Sequence, residues 1–183
     1  STKEIKAKNI VIATGSSVLS LPNIKVDEEI IVSSTGALSL KQVPKKMIII
    51  GGGVIGLEMG SVWLRLGAEV EVIEYMDHIT PGMDREICDN FLKILKKQGM
   101  KFHLSSKVLD VKKHSNGAIV TVETGGKTVE MESDIVLMSV GRKPNTDGLN
   151  LEAVGIKTDP KGRISVDKKL KTSVGNIYAI GDV

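Results

Sequence analysis

The sequence predicts an α/β fold built on a parallel β-sheet. Three short apolar runs, at residues 9–13, 46–50 and 134–138, have the length and β-branched composition of buried strands. The run at 46–50 leads directly into three glycines and then into a helical pattern of apolar residues. Strands followed by helices in this way are typical of a parallel sheet covered by helices.

The glycine-rich turn has the spacing Gly51-x-Gly53-x-x-Gly56 between this strand and a helix predicted at 54–66. In a dinucleotide-binding turn, the first glycine allows a tight reversal and the second lets a pyrophosphate approach the backbone. The third lets the helix pack close to the sheet. The N–H groups and the dipole of the first helical turn favour an anion there. The spacing therefore predicts a dinucleotide site in a Rossmann-like unit.

Glu74 is an independent sign of the same site. It closes a second apolar run, at 69–74, about 20 residues after Gly53, where an acid that binds a ribose is expected. The alternative is an ordinary solvated carboxylate at a strand end. An acid here would accept hydrogen bonds from ribose hydroxyls and repel a 2′-phosphate, and no arginine follows at 75–80 to hold such a phosphate. The pattern therefore favours NAD over NADP.

The composition is that of an ordinary globular chain of 183 residues, with 26% charged residues and a net charge of +3. No basic cluster is interleaved with aromatic residues, so nucleic-acid binding is not expected. The longest apolar runs are too short to span a membrane, and no signal-peptide core is present in the first 20 residues. The single cysteine, Cys88, is expected to be an inert, partly buried thiol that suits a reducing compartment, and no metal site is predicted.

Further helices are predicted on either side of the dinucleotide turn. Residues 33–38 have the pattern of a short capped helix. A longer helix is predicted at 83–98, capped by Asp84 and stopped by Gly99. Its apolar stripe is expected to consist of Ile87, Phe91, Leu92 and Leu95.

The second half of the sequence changes from helical to alternating patterns. A short strand is predicted at 101–104, and apolar residues then alternate at 107–113, 118–124 and 127–132. The dipeptides Asn116-Gly117 and Gly125-Gly126 between these segments are strong hairpin signals. We therefore expect a three-stranded antiparallel meander inserted before the buried strand at 134–138. No long helix is predicted at 149–183.

Taken together, these segments resemble the flavin-dependent pyridine nucleotide–disulfide oxidoreductases over essentially the whole chain. Within this family, the sequence is similar to the branch that oxidises protein-bound dihydrolipoamide with NAD⁺. The features that indicate this branch are the valine at 54, the glycine at 56 and the lack of arginines after the second strand. The residues that carry the resemblance are Ala13-Thr14-Gly15-Ser16, Gly51-Gly52-Gly53-Val54-Ile55-Gly56-Leu57-Glu58, Gly60-Ser61-Val62-Trp63, Glu74, Val140-Gly141-Arg142-Lys143-Pro144-Asn145 and Tyr178-Ala179-Ile180-Gly181-Asp182.

The resemblance implies a role for each residue of an NAD site. Glu74 would bind the adenosine ribose, Val108 would lie beside the adenine and Gly141 would approach the nicotinamide. Glu58 would lie near the contact between nicotinamide and flavin, although an ordinary exposed glutamate is the alternative. The NAD pyrophosphate would be held by the turn residues Gly51, Gly52, Gly53, Val54, Ile55 and Gly56.

The resemblance also implies an FAD site. Thr14, Gly15 and Ser16 would touch FAD, and Asp182 would hold a ribityl hydroxyl of the flavin. On local chemistry alone, a plain turn after a strand is the favoured interpretation of residues 14–16. Residues 20–145 would form the NAD-binding domain, flanked by partial FAD-domain segments at 1–19 and 146–183.

Catalytic residues are not predicted in this chain. Enzymes of this family need a redox-active cysteine pair and a histidine–glutamate acid–base pair. The chain has one cysteine, and His78, His103 and His114 match no such motif, so they are expected to be structural or solvated. The resemblance also implies a first dinucleotide fold for the adenosine part of FAD, which these segments do not supply, so the FAD site would be incomplete. The chain alone is expected to bind NAD(H) weakly without catalysing the reaction.

For the whole protein, the resemblance implies lipoyl domains of 2-oxo acid dehydrogenase complexes as partners and a homodimeric assembly. The expected location is the cytoplasm of a bacterium or the mitochondrial matrix of a eukaryote. One alternative is another NADH-linked flavoprotein, such as a peroxidase, an oxidase or a mercuric-type reductase. A second alternative is a free-standing NAD-binding module without chemistry of its own.

Overall fold

A computed structural model describes residues 3–183 of the protein. After three short strands, helices and strands alternate as far as residue 103, and strands dominate the rest. The elements in chain order are β1 (Ile10–Ile12), β2 (Ser16–Val18), β3 (Ile31–Val32), α1 (Ser34–Leu38), β4 (Lys46–Ile50), α2 (Val54–Leu66), β5 (Glu69–Ile73), α3 (Arg85–Lys97), β6 (Lys101–His103), β7 (Ser106–His114), β8 (Gly117–Thr124), β9 (Lys127–Ser133), β10 (Ile135–Met138), β11 (Arg142–Pro144), a 3₁₀ turn (Leu151–Val154) and β12 (Ile177–Ala179).

The chain divides into two compact units. The central unit is Leu19–Gly141, and the split unit combines residues 3–18 with Arg142–Val183. The sequence predicts a division at 20–145, whereas the structure groups residues 142–145 with the split unit. The reason is that β11 pairs antiparallel with β2, with Lys143 opposite Ser17. This pairing joins segments far apart in the sequence, so no local pattern indicates it.

The central unit contains the predicted parallel sheet. Its five strands run in the order β3-β10-β4-β5-β6, and every neighbouring pair is parallel. Strands β4 and β10 are nearly continuous apolar runs because both faces of the sheet are covered. Met47 and Ile49 pack on the face shared with Leu57 and Trp63 of α2. Alternate residues of the same strands pack with the meander.

The meander β7-β8-β9 covers the opposite face of the sheet and confirms the predicted antiparallel insertion. Gly125 and Gly126 form the second hairpin, with left-handed φ values of +56° and +73°. The first hairpin differs from the prediction, because Gly117 is already paired with His114 as the first residue of β8. A Cβ atom on Gly117 would lie 2.2 Å from the carbonyl oxygen of Ser133, so packing rather than the turn requires this glycine.

Helix α2 begins and ends where the sequence predicts, and Gly67 stops it in the left-handed conformation. Helix α3 begins two residues later and ends one residue earlier than predicted, and Asp84 caps it by accepting a hydrogen bond of 2.9 Å from the Glu86 N–H. Two details of the prediction for α3 are wrong. Ile87 is 58% exposed rather than part of the buried stripe, and Cys88 is completely buried rather than partly buried. The inward face is turned by one residue, so Cys88 takes the place predicted for Ile87.

The split unit has its own small core. Its buried residues come from the 3₁₀ turn, the segment after it and β12, with Ile156 and Ile177 among them. Strand β1 pairs in parallel with β12. The prediction that β1 is a buried strand is wrong for the described part of the chain, since Ile10 and Val11 are 47% and 56% exposed. The sheet in which β1 lies has only two strands, and a single neighbour does not cover both faces of a strand.

Candidate functional site

The turn between β4 and α2 brings the backbone close to its surroundings at two glycines. Gly51 has φ of +105°, and a Cβ atom on it would lie 2.6 Å from the carbonyl oxygen of Ser139. A Cβ atom on Gly56 would lie 2.5 Å from the carbonyl oxygen of Gly51. The Ser139 hydroxyl lies within hydrogen-bonding distance of the Ile50 and Gly51 carbonyl oxygens, at 2.9 and 3.0 Å. These contacts fix a tight strand–turn–helix connection, as the glycine spacing predicts.

Gly53 differs from these two glycines because it faces open space. A Cβ atom on Gly53 would meet nothing within 4 Å. Gly53 is the N-cap of α2, and no side chain caps the helix there. The first N–H groups of a helix have no partner within the helix, and the helix dipole places partial positive charge at this end. The end of α2 therefore has both the space and the donors for an anionic group.

Glu74 follows β5 at the neighbouring strand end and is 7% exposed. Its carboxylate accepts hydrogen bonds from the N–H groups of Gly52 and Met76, at 2.6 and 2.7 Å. A Cβ atom on Gly52 would lie only 3.2–3.3 Å from Glu74 side-chain atoms. A side chain at position 52 would therefore press against Glu74, so the acid and the glycine-rich turn are closely packed.

A cavity of about 470 Å³ lies in front of this turn. Five of the predicted site residues line it: Gly51, Gly53, Glu74, Val108 and Gly141. A larger cavity of about 770 Å³ lies in the split unit, but residues 146–158 line it, and none of the predicted site residues is among them. The smaller cavity is the better candidate, because the glycine-rich turn and Glu74 meet at its wall.

The other predicted residues of the NAD site lie around this cavity rather than on its wall. Gly52 and Gly56 are buried in the turn, whereas Ile55 is half-buried on α2. Val54 is 47% exposed, and Glu58 is exposed on the same helix. Nine further residues line the cavity without a role predicted from the sequence, among them Tyr75, Lys107 and Ser139. Tyr75 and Lys107 directly adjoin Glu74 and Val108, which is the only signal by which the sequence indicates them.

The split unit brings together the residues that the resemblance associates with FAD. The Ser16 hydroxyl donates to the Asp182 carboxylate, and Arg142 donates to the Ser16 hydroxyl at 2.6 Å. Arg142 also lies 3.4 Å from the Asp182 carboxylate. Gly15 precedes Ser16, and its carbonyl oxygen accepts from the Asn145 N–H at 2.9 Å. Arg142 and Asn145 belong to the motif that carries the resemblance, but their contacts could not be assigned from the sequence.

Thr14 completes this group. Its hydroxyl donates to the Asn145 carbonyl oxygen at 2.8 Å, and the Asn145 amide donates back to the Thr14 carbonyl oxygen at 3.0 Å. The reciprocal pair holds the end of β1 against the start of the segment after β11 within the split unit. The Asp182 side chain is 70% exposed, so its carboxylate oxygens are accessible for another donor.

A charged cluster crosses three strands of the central sheet. Glu71 of β5 lies 2.7 Å from the Lys46 ammonium group and 2.6 Å from the His103 ring. Burial by itself raises the pKa of Glu71, but the hydrogen bonds from Lys46 and His103 outweigh it, so the pKa lies below its ordinary value. The cluster gives His103 a structural role, one of the two roles expected for the histidines from the sequence.

Two negative findings apply to residues 3–183. No group of three or more histidine, cysteine, aspartate or glutamate side chains there is arranged to hold a metal ion. No helix in that range is both long and apolar enough to cross a lipid bilayer.

Comparison with known proteins gives a consistent result. The mitochondrial dihydrolipoyl dehydrogenase of Dictyostelium discoideum is 59% identical, covering 100% of this chain and 38% of that protein. The one from Canis lupus familiaris is 54% identical, covering 100% of this chain and 37% of that protein. The crystal structure of LpdA from Mycobacterium tuberculosis superposes with a TM-score of 0.87 at 33% identity, covering 100% of this chain and 39% of LpdA.

The chain thus spans less than two fifths of the length of these relatives. The family model described as pyridine nucleotide-disulphide oxidoreductase matches residues 1–183. Because this match extends over the whole sequence, the chain belongs to the pyridine nucleotide-disulphide oxidoreductase family.

Proposed function

We propose that the central unit binds NAD(H), with the dinucleotide in the cavity of about 470 Å³. The observation that carries this proposal is that Gly51, Gly53 and Glu74 line one cavity. These residues come from the ends of two adjacent parallel strands, where ligands bind in open α/β sheets. The cavity wall thereby combines an anion-binding helix end with a carboxylate.

The pyrophosphate would lie against the start of α2. The open space at Gly53 allows its oxygens to approach the backbone without a side chain between them. The free N–H groups of the first turn would donate to these oxygens, and the helix dipole would add a favourable field. The chemistry that the chain supplies here is binding and orientation.

Glu74 would accept hydrogen bonds from the adenosine ribose and disfavour a 2′-phosphate. Lys107 also lines the cavity and would attract such a phosphate. We expect Glu74 to decide the preference, because its carboxylate is buried and fixed by two N–H donors, whereas Lys107 is exposed. A charge that is held in place and shielded from water acts more strongly than a solvated, flexible one. NAD is therefore the proposed cofactor.

The remaining cavity residues would contact the two ends of the dinucleotide. Val108 offers an apolar surface for the adenine, and Gly141 leaves room for the nicotinamide end. A Cβ atom on Gly141 would have only the Leu19 side chain within 4 Å, at 3.9 Å. Glu58 is exposed on α2, so it is available for the proposed role beside the nicotinamide.

The split unit is proposed as part of an FAD site. Arg142 and Ser16 hold the Asp182 carboxylate in place, and the exposed carboxylate would accept a hydrogen bond from a ribityl hydroxyl. Thr14 and Gly15 would lie beside the same cofactor. The support for this assignment is the family membership together with the clustering of these residues.

For the whole protein, we propose the activity of a dihydrolipoamide dehydrogenase. When bound, FAD and NAD⁺ supply the two-electron transfer from the two thiols of dihydrolipoamide, which yields lipoamide, NADH and a proton. The chain has one cysteine, Cys88, which is completely buried, so the exchanging dithiol is not among its residues. The proposed partners of the whole protein are lipoyl domains of 2-oxo acid dehydrogenase complexes, and the proposed assembly is a homodimer. The names of the relatives support a mitochondrial location.

A fluorescence titration of the purified chain with NADH, and in parallel with NADPH, tests the proposed cofactor. We expect saturable binding with an affinity for NADH about tenfold or more above that for NADPH, since a 2′-phosphate would face Glu74. A preference for NADPH would contradict the role of Glu74. A folded chain that binds neither would contradict autonomous NAD binding by the central unit.

A further inference from the structure

The Gly52 peptide segment is held on both sides. Its N–H donates to the Glu74 carboxylate at 2.6 Å, and its carbonyl oxygen accepts from the Thr80 N–H at 2.8 Å. Thr80 belongs to the loop between β5 and α3, so it reaches the glycine-rich turn from outside the fingerprint. Glycines lose much conformational entropy when they are ordered, and three consecutive glycines form this turn. A second contact from the loop is therefore useful for fixing it.

Thr80 has an uncommon backbone for its residue type. Its φ is +48°, which is unfavourable for a β-branched side chain, and only 3% of the residue is exposed. Such a conformation persists only where the surroundings hold it in place. The strain is therefore evidence that this loop is fixed by specific contacts.

The contacts that hold Thr80 come from α3. Its hydroxyl donates to the Cys88 sulfur at 3.2 Å, and the Cys88 thiol lies 3.6 Å from the Thr80 carbonyl oxygen. Cys88 is completely buried and lies on the inward face of α3. A chain of contacts thus runs from α3 through Cys88 and Thr80 to Gly52, and from Gly52 to Glu74.

We propose that Thr80 is a positioning residue of the dinucleotide site, which holds the Gly52 peptide segment against Glu74 so that the glycine-rich turn is preformed before the cofactor binds. The proposal rests on the proposed NAD site. Its energetic basis is preorganisation, because a turn that is already ordered pays less entropy on binding. Cys88 acts through Thr80 in this scheme and has no direct role toward the ligand.

The variant that tests this role is Thr80→Val, which keeps the shape of the side chain but removes the hydroxyl. We expect the Kd for NADH to rise about fivefold, the size of one lost hydrogen bond. Thr80→Ser keeps the hydroxyl and should restore affinity close to that of the unchanged chain. Thr172→Val is the matched control, since it also removes a buried hydroxyl, bonded to the Ile177 carbonyl oxygen at 2.9 Å, but lies in the split unit. It should lower thermal stability without changing the Kd.

A double-mutant cycle locates the effect in the contact with Cys88. If Thr80 and Cys88 act as one unit, Thr80→Val combined with Cys88→Ala should weaken NADH binding about as much as Thr80→Val alone. Additive losses would contradict transmission through this contact. An unchanged Kd in Thr80→Val, with normal NADH binding by the unchanged chain, would overturn the positioning role.

Amide hydrogen exchange provides a readout that does not depend on the cofactor. The Gly52 N–H should exchange faster in Thr80→Val than in the unchanged chain and in Thr80→Ser, because the turn becomes more mobile. Equal exchange rates would overturn the proposal. If the unchanged chain binds no NADH, the proposed function fails, and the Gly52 exchange rate still decides whether Thr80 holds the turn.

Discussion

At the scale of single residues, Glu74 combines two tasks that are easily confused. It is proposed to bind the ribose, and it also accepts two backbone N–H groups that fix the adjoining turn. Substitution by arginine would therefore test both tasks at once. The neutral, isosteric glutamine separates them better, since it keeps the shape and one acceptor oxygen.

We predict that Glu74→Gln lowers NADH affinity about tenfold and the free energy of unfolding by about 1–2 kcal/mol. The affinity falls because the ribose loses a charged acceptor. The stability falls because the new amide places N–H donors opposite a backbone N–H. NADH titration and urea denaturation measure the two effects, with Glu130→Gln on the exposed surface of β9 as the control. Unchanged NADH affinity in Glu74→Gln would remove Glu74 from the site.

A substitution at Gly53 should impair dinucleotide binding while leaving folding almost unchanged. Its φ is −76°, and a Cβ atom there would meet nothing, so Gly53→Val should fold with a melting temperature near that of the unchanged chain. The new side chain would occupy the space proposed for the pyrophosphate, and NADH binding should be lost. Gly175→Val in the split unit is the control, since that glycine also faces open space. Retained NADH affinity in Gly53→Val would mean that the turn is only structural.

At the scale of elements, the charged cluster on β4, β5 and β6 makes the stability of the sheet depend on pH. Glu71 lies between Lys46 and His103, with Lys101 4.0 Å away. The pKa of Glu71 is held below its ordinary value of 4.5, despite the opposing effect of burial, by hydrogen bonds from Lys46 and His103. A carboxylate whose pKa is lower in the folded chain stabilises the fold above the unfolded pKa. This contribution is lost as the pH falls below about 4.5 through the folded value.

We predict that the free energy of unfolding falls as the pH is lowered from 5 to 3, and that Glu71→Gln reduces this slope. At pH 7 the variant should be less stable by about 2 kcal/mol, because Lys46 loses a charged, largely buried partner. Urea denaturation across the pH range measures both quantities. The pKa of Asp27 is also lower in the folded chain than its ordinary value, so part of the slope should remain in the variant. An unchanged slope would show that the cluster does not stabilise the sheet.

Several elements could be predicted because their signals are local. The limits of α2 follow from Gly53 and Gly67, and the start of α3 follows from the Asp84 cap. The errors concern which residues of an element face the core and which strands pair with each other. Ile87 lies at the border of the inward face of α3, and a helical pattern alone does not decide on which side of that border a residue falls.

At the scale of the whole molecule, the α/β class, the parallel sheet and the meander were predictable from the order of patterns along the chain, and the predicted family is confirmed. The pairing of β2 with β11 was not predictable, because its partners are more than 100 residues apart in the sequence. The same holds for the bond between Ser16 and Asp182. Long-range pairing depends on how the elements assemble rather than on any local signal.

In the candidate site too, the residues of a sequence motif could be predicted and a residue outside any motif could not. The spacing of Gly51, Gly53 and Glu74 has a known physical meaning, so their meeting at one cavity was expected. Thr80 carries no motif, and its contact with Gly52 exists only because the loop after β5 folds back over the turn. A residue that acts through the backbone of another residue leaves no recognisable pattern in the sequence.

The measurement that tests the account most directly is an NMR titration of the ¹⁵N-labelled chain with NADH. We predict saturable shifts of the amide signals of Gly51, Gly53, Glu74 and Val108, with residues 146–158 around the larger cavity unchanged. Shifts confined to residues 146–158, or no saturable shift in a folded chain, would contradict the assignment of the dinucleotide site to the central unit.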